Sequence, residues 1–188
     1  MHNLSKAFQI SLGITSVFWI IYLADLILPD FQHHIMLIPR TKVGLLTMFS
    51  CHFGHGNIGH ILNNSLAFLA LMTLALVHNK DLAITNSLII ITLTGLFTWL
   101  FGRSGTAHIG ASGWIMGLFG YLLANARYRK NFISIAVAVL VLIFYSGLFL
   151  SLTNFRAGIS WEMHIGGFIA GIIASRLTSK QEIEKVEQ

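Results

Sequence analysis

Charge is scarce in this chain. Of 188 residues only 10% are Asp, Glu, Lys or Arg, against about 25% in a soluble domain, while 55% are hydrophobic and the mean hydropathy is +0.73. So few charges cannot clothe a water-facing surface of this size, which excludes an ordinary soluble enzyme and makes lipid the expected outer solvent. Cysteine is reduced to Cys51, so no internal disulfide can form, and that residue reads as a small buried or interfacial side chain. Acidic residues number 7 against 12 basic ones. The net charge of +5 does not point to nucleic acid, because no basic patch with interleaved aromatics occurs; in a membrane protein such an excess reflects cytoplasmic loops. Metal signatures are missing as well. There is no His-Glu-x-x-His and Asp25 is the lone carboxylate in a predicted span, so His33, His34, His52 and His55 do not add up to a zinc site or metal transporter. Neither a metal nor a cofactor is expected. Trp114 stands where a Gly-x-Ser-x-Gly has its last glycine and no β-alternating segment precedes Ser112, which excludes an α/β-hydrolase elbow, and no repeat relates the two halves as in many transporters.

What the chain has in abundance is long apolar runs. A spanning helix needs about 20 mostly apolar residues, and such runs fall at 8–28, 58–77, 82–101, 112–126, 132–150 and 163–177. The prediction is an all-α, polytopic membrane protein: six spans in one domain over 1–188, an outer loop at 29–57 and a polar, frayed tail at 179–188. Lys6 precedes an apolar stretch as in a signal peptide, yet the stretch is long and lacks an Ala-x-Ala exit, so a retained span is expected. The outer loop holds both prolines, Pro29 and Pro39, and an apolar patch at 35–38, and is expected to lie partly in the interface. With the N-terminus inside, Lys6, Lys80, Arg127, Arg129, Lys130, Arg176, Lys180 and Lys185 face the cytoplasm. Arg40, Lys42, Arg103 and Arg156 then face outward, the bias that places both termini in the cytoplasm. Trp19, Trp99, Trp161 and Tyr22 read as interfacial or packing residues.

Polar groups inside spans are costly, so each is a functional candidate. His55, His60, Asn63 and Asn64 stand at the entry to the second span, Gly110-Ala111-Ser112-Gly113 at the entry to the fourth, and His164 at the entry to the sixth. These three spans all run from outside to inside, so the clusters share one depth. The run at 112–126 covers about 22 Å of a hydrocarbon core about 30 Å thick, which sets Ser112 below the outer surface. The glycine-rich approach from Gly102 to Gly110 must then line a cavity shielded by protein. Ser112 can attack a carbonyl when a neighbouring base takes its proton, and His164 is the best placed base. Gly113, Gly117 and Gly120 on one helix, with His164, Gly167, Gly171 and Ser175 on the other, are spaced for close helix approach. His60 and Asn64, four residues apart on one face, and the backbone N–H groups from Gly110 onward are candidate oxyanion donors. No carboxylate lies in these clusters, so a Ser–His dyad is indicated. Glu162 reads as a helix-dipole partner, His108 as a loop histidine at the cavity edge, and Asn63, rotated by about 100° from the His60–Asn64 face, as structural.

Together and in order, these motifs resemble those of the rhomboid intramembrane serine proteases, from the second span to the end of the sixth. His55-x4-His60-x3-Asn64 resembles the family's His-and-Asn motif, Gly110-Ala111-Ser112-Gly113 its nucleophile motif, and His164-x2-Gly167-x3-Gly171 its base-bearing helix. The resemblance implies a six-helix bundle that uses no cofactor and cleaves transmembrane segments of other proteins near the outer leaflet, next to small residues where the substrate helix is destabilised. It implies Ser112 as nucleophile, His164 as general base, His60 and Asn64 as oxyanion donors with Gly110 beside them, and His55 as support for the loop after the first span. Three departures bear on this. No Trp-Arg pair lies between Pro39 and Phe49, Cys51 stands where a further histidine is common, and Met116 stands where a tyrosine often packs on the base. The first two concern the loop and substrate handling, the third the holding of His164. The implied partners are transmembrane protein substrates and the lipid bilayer, with no nucleic acid; the oligomeric state has no signal. A bacterial inner membrane with the site open to the periplasm fits this reading, and a catalytically silent relative that binds membrane clients is its alternative.

Overall fold

The computed structural model describes residues 3–28, 30–153 and 158–186, with side chains to Ser179. Pro29 and Arg156, and the side chains of Lys180 and Lys185, lie outside it. The described residues are helical with no strand, as α1 (Leu4–Ile27), α2 (Lys42–Leu46), α3 (Ile58–His78), α4 (Lys80–Phe101), α5 (Ser112–Arg129), α6 (Phe132–Tyr145), α7 (Gly147–Leu152) and α8 (Trp161–Val186). Of these, α1, α3 and α4 are long and apolar enough to cross a membrane. The outer loop carries two short 3-10 turns and α2 instead of open coil.

Asparagine starts four of the helices. Asn3, Asn57, Asn79 and Asn131 each cap the helix that follows by accepting a main-chain N–H two or three residues on, which answers one of the donors every helix start leaves open. α5 differs. It begins after Ala111, with no side-chain cap, so the amides of its first turn stay open where Ser112 stands.

α5 is also the axis of the bundle. It packs against α3, α4, α6 and α8, and nearly all its residues from Gly113 to Asn125 are buried. A helix apolar on every side belongs in an interior, and its glycines give it room there. A Cβ on Gly167 would stand 2.1 Å from the Gly113 carbonyl oxygen, and one on Gly171 would stand 2.0 Å from that of Gly117, so α5 and α8 touch backbone to backbone. At 18 residues α5 spans about 27 Å, one turn more than the run at 112–126 suggests, because its polar last turn, Arg127 to Arg129, continues the helix. Above it, edge-on contacts among Phe18, Phe53, Phe68 and Trp114 close the core.

The run at 132–150 is divided. Ser146 separates α6 from α7, and Gly147 begins the second piece, a Ser-Gly pair of the kind at which helices bend.

Candidate active site

The loop from Gly102 to Ala111 reaches Ser112 through a series of ties. Leu37 and His108 exchange main-chain bonds of 3.0 and 2.8 Å in an isolated antiparallel bridge. The Arg40 guanidinium donates to the carbonyls of Leu100 and Gly102 at 3.0 and 2.8 Å. Gly110 donates its N–H to the Cys51 carbonyl at 2.8 Å. Part of this non-helical backbone is thereby hydrogen-bonded by protein, as a loop approaching a shielded cavity requires.

On the other side the loop is tied to the start of α8. Arg103 donates through Nε to Glu162 Oε1 at 2.7 Å and through a terminal nitrogen to the Ile159 carbonyl at 2.8 Å. Glu162 is buried at 1% exposure, so its charge has a specific partner and is not a loose dipole group. His108, also buried, bonds Ser160 through Nδ1 and Thr106 through Nε2. Its pKa is pulled down chiefly by burial, with Arg103 acting the same way against Glu162.

Between these ties lies a cavity of about 970 Å³. Ser112, His164, His60 and Asn64 all line it, so the structure brings together the four residues singled out for chemistry. His108 and Arg103 form part of its wall. Asn63, set aside on helical rotation, lines it too, because a cavity this wide subtends two neighbouring positions of α3. His33 and His34 stay on the exposed outer loop, and among the described residues no three metal-ligating side chains converge.

His164 is oriented from behind. Its Nδ1 lies 3.2 Å from the Ser151 carbonyl of α7, an acceptor, so Nδ1 carries the proton and Nε2 presents a lone pair. Ser151 is anchored in turn, its hydroxyl donating to the Leu148 carbonyl at 2.6 Å and contacting Met116 Sδ at 3.5 Å. Met116 therefore reaches His164 through α7 instead of through an aromatic face. Among the described residues the Ser112 hydroxyl makes no hydrogen bond. His164 and Ser112 are linked through their neighbours, a Cβ on Gly113 standing 3.2 Å from the Met163 carbonyl oxygen.

The donors that share the cavity with Ser112 can be counted. Asn64 is 8% exposed, and its Nδ2 has no partner among the described residues. The His60 ring sits where a side chain on Gly110 would go, with Nε2 2.7 Å from that position. Gly110 has φ +128, a conformation L side chains rarely adopt. Its own N–H is bonded to Cys51, so Gly110 contributes shape and not the donor expected of it. Ala111 likewise gives its N–H to His55 Nε2 at 3.4 Å. The open amides begin at Ser112 itself.

A Rhomboid domain family model matches residues 42–181 of the chain. Uncharacterized proteins of Mycobacterium tuberculosis and Mycobacterium bovis are each 33% identical over 152 residues, which cover 77% of this chain and 63% of theirs. An uncharacterized protein of Mycobacterium leprae is 30% identical over 136 residues, covering 68% of this chain and 54% of its own. The chain thus spans less than two thirds of the length of these curated relatives.

Proposed function

The chain belongs to the rhomboid family, and from that membership we propose that it is an intramembrane serine endopeptidase, with Ser112 as nucleophile and His164 as general base. It forms one domain of six spans with α6 and α7 together as the fifth, both termini cytoplasmic, and the cavity open to the outer side of a bacterial inner membrane. The observation that carries the reading is the cavity itself, which collects Ser112, His164 and His60 beside an Asn64 amide left unpartnered.

In this mechanism a substrate segment unwinds into the cavity. His164 Nε2 takes the Ser112 proton as Oγ bonds to the scissile carbonyl carbon, and the oxygen of that carbonyl becomes an oxyanion. Asn64 Nδ2, a His60 ring N–H and the Ser112 amide donate to it; each such donor contributes on the order of 10²–10³ in rate. Collapse breaks the C–N bond, and His164 returns its proton to the leaving amine. Water entering from the outer side then attacks the acyl-enzyme, giving one proton to His164 and releasing the carboxylate product as Ser112 recovers its hydroxyl.

Labelling of the purified protein in detergent by a fluorophosphonate, with cleavage of a model transmembrane substrate assayed in parallel, tests this directly. Both activities are expected in the native protein and absent from Ser112→Ala and His164→Ala. Absence of both from the native protein would replace the protease reading with a silent relative that binds membrane clients.

A further inference from the structure

One chain of hydrogen bonds runs from the end of α1 through His55 to the turn before Ser112, and its first two members, Asp25 and Gln32, belong to none of the motifs above. Asp25, on the last turn of α1, accepts the Gln32 main-chain N–H at 2.8 Å on one carboxylate oxygen and Gln32 Nε2 at 2.9 Å on the other. The Gln32 amide, 4% exposed, then grips the main chain of His55 from both sides. Nε2 donates to the His55 carbonyl at 2.9 Å, and Oε1 accepts the His55 N–H. His55 is fully buried. Its Nδ1–H donates to the Phe53 carbonyl at 3.2 Å, which leaves Nε2 to accept the Ala111 N–H, and its ring meets that of His60 edge-on at 5.0 Å. Burial keeps this imidazole neutral throughout the physiological range, its pKa being held at about 3.

An amide that satisfies both the N–H and the C=O of one residue fixes that residue's φ/ψ setting, and a carboxylate that takes the amide's remaining N–H together with the main-chain N–H of the amide's own residue fixes the amide's orientation. Asp25 and Gln32 do both. Local loop geometry does not require this, because His55 lies 23 residues from Gln32. A histidine set in this way touches the site twice, at the Ala111 amide one residue before Ser112 and at the His60 ring over Gly110.

We propose that Gln32, oriented by Asp25, is a positioning residue of the active site, setting the His55 ring and through it the Ala111–Ser112 turn and His60. The proposal rests on the protease reading for its effect on rate and on hydrogen bonding alone for its effect on structure. It assigns a catalytic consequence to α1, which supplies none of the residues that line the cavity.

The test compares Gln32→Ala, Asp25→Asn and Gln32→Glu with the native protein in detergent micelles. Three readouts are used: the rate of Ser112 labelling by a fluorophosphonate, the KM for a model transmembrane substrate, and deuterium uptake over the peptide 103–116. For Gln32→Ala and Asp25→Asn the expected results are a labelling rate lower by about tenfold per folded molecule, an unchanged KM for a model transmembrane substrate, and faster exchange in 103–116. Gln32→Glu sets two carboxyls side by side, so its rate relative to the native protein should rise between pH 8 and pH 5.5 as one proton is shared. A role confined to packing would not give that profile. Arg40→Ala, which loosens the same loops elsewhere, serves as the stability control. Native labelling rates in both variants, or uptake in 103–116 equal to the native protein's, would overturn the proposal. Failure of the native protein to label, with exchange still responding to Gln32→Ala, would instead overturn the protease reading and leave the positioning chain standing.

Discussion

Gly110 and Asn64 lie close together, a Cβ on Gly110 standing 3.5 Å from Asn64 Nδ2, and each can be altered by a single group. In Gly110→Ala the new methyl would enter the His60 ring at 2.7 Å while the backbone kept a φ of +128. Backbone strain of that kind costs about 1–3 kcal/mol, and relief requires His60 to move. The expected outcome is a lower Tm together with loss of at least nine-tenths of Ser112 labelling. Asn64→Ala should behave differently. Its Nδ2 is buried without a partner among the described residues, so truncation removes an unsatisfied donor and should leave Tm unchanged or raised, while kcat falls on the order of 10²–10³. A parallel fall in both quantities would mark Asn64 as structural. At this scale the sequence is readable where a side chain itself does the work. Ser112, His60, Asn64 and His164 are polar in apolar runs and stand out for that reason. Gln32 and Ser151 do not, because one acts on a main chain and the other through its carbonyl, and neither leaves a spacing to find.

Helices α5 and α8 meet through glycine carbonyls, which ties the distance between Ser112 and His164 to a packing contact. A Cβ on Gly171 would stand 2.0 Å from the Gly117 oxygen. Backbone cannot yield as a side-chain tip does, so Gly171→Ala should push the helices apart at a cost of about 1–3 kcal/mol, the usual penalty for overpacking. Activity should fall more steeply than stability, because Ser112 and His164 ride on the two displaced helices. Gly13, on α1, has nothing within 4 Å of its Cβ position. Gly13→Ala should therefore stabilise by about 0.5–1 kcal/mol with native activity. Thermal unfolding of both variants beside substrate cleavage checks the contrast, and a neutral Gly171→Ala would contradict it. Small-residue spacing made these glycines legible. The division of the fifth run was not legible, since hydropathy passes unbroken through Ser146 and Gly147 while the helix does not.

Across the whole molecule, composition already pointed to a lipid environment, but the loops that make a site out of the helices were hidden in the sequence. Their ties join residues far apart, such as Arg40 to Leu100 and Arg103 to Glu162, and no local pattern encodes them. Those loops also bury titratable groups, which gives stability a pH dependence of definite sign. Burial lowers the pKa of His52 to about 4 and that of His55 to about 3, from an ordinary 6.5. The Ile91 main chain opposes this only in part at His52, where neither ring nitrogen meets hydrogen-bond geometry among the described residues. In the unfolded chain both imidazoles take up a proton near pH 6.5, whereas in the folded protein they stay neutral until far lower. The unfolded state therefore binds more protons in this window, and stability is complete above about pH 6.5 and declines as pH falls. At about 1.36 kcal/mol per pH unit each histidine removes about 2 kcal/mol by pH 5, before ordinary carboxylates have begun to contribute. His108, whose pKa is also lowered by burial, adds a change of the same sign. Thermal unfolding in detergent at pH 7.5 and pH 5 should thus show a marked drop in Tm, and His52→Phe should remove a share of the drop, because a phenyl ring in that buried position has no proton to gain. A Tm that is flat over this range, or higher at pH 5, would mean that the loop histidines meet solvent in the folded protein and that the outer loop is not the closed structure its hydrogen bonds describe.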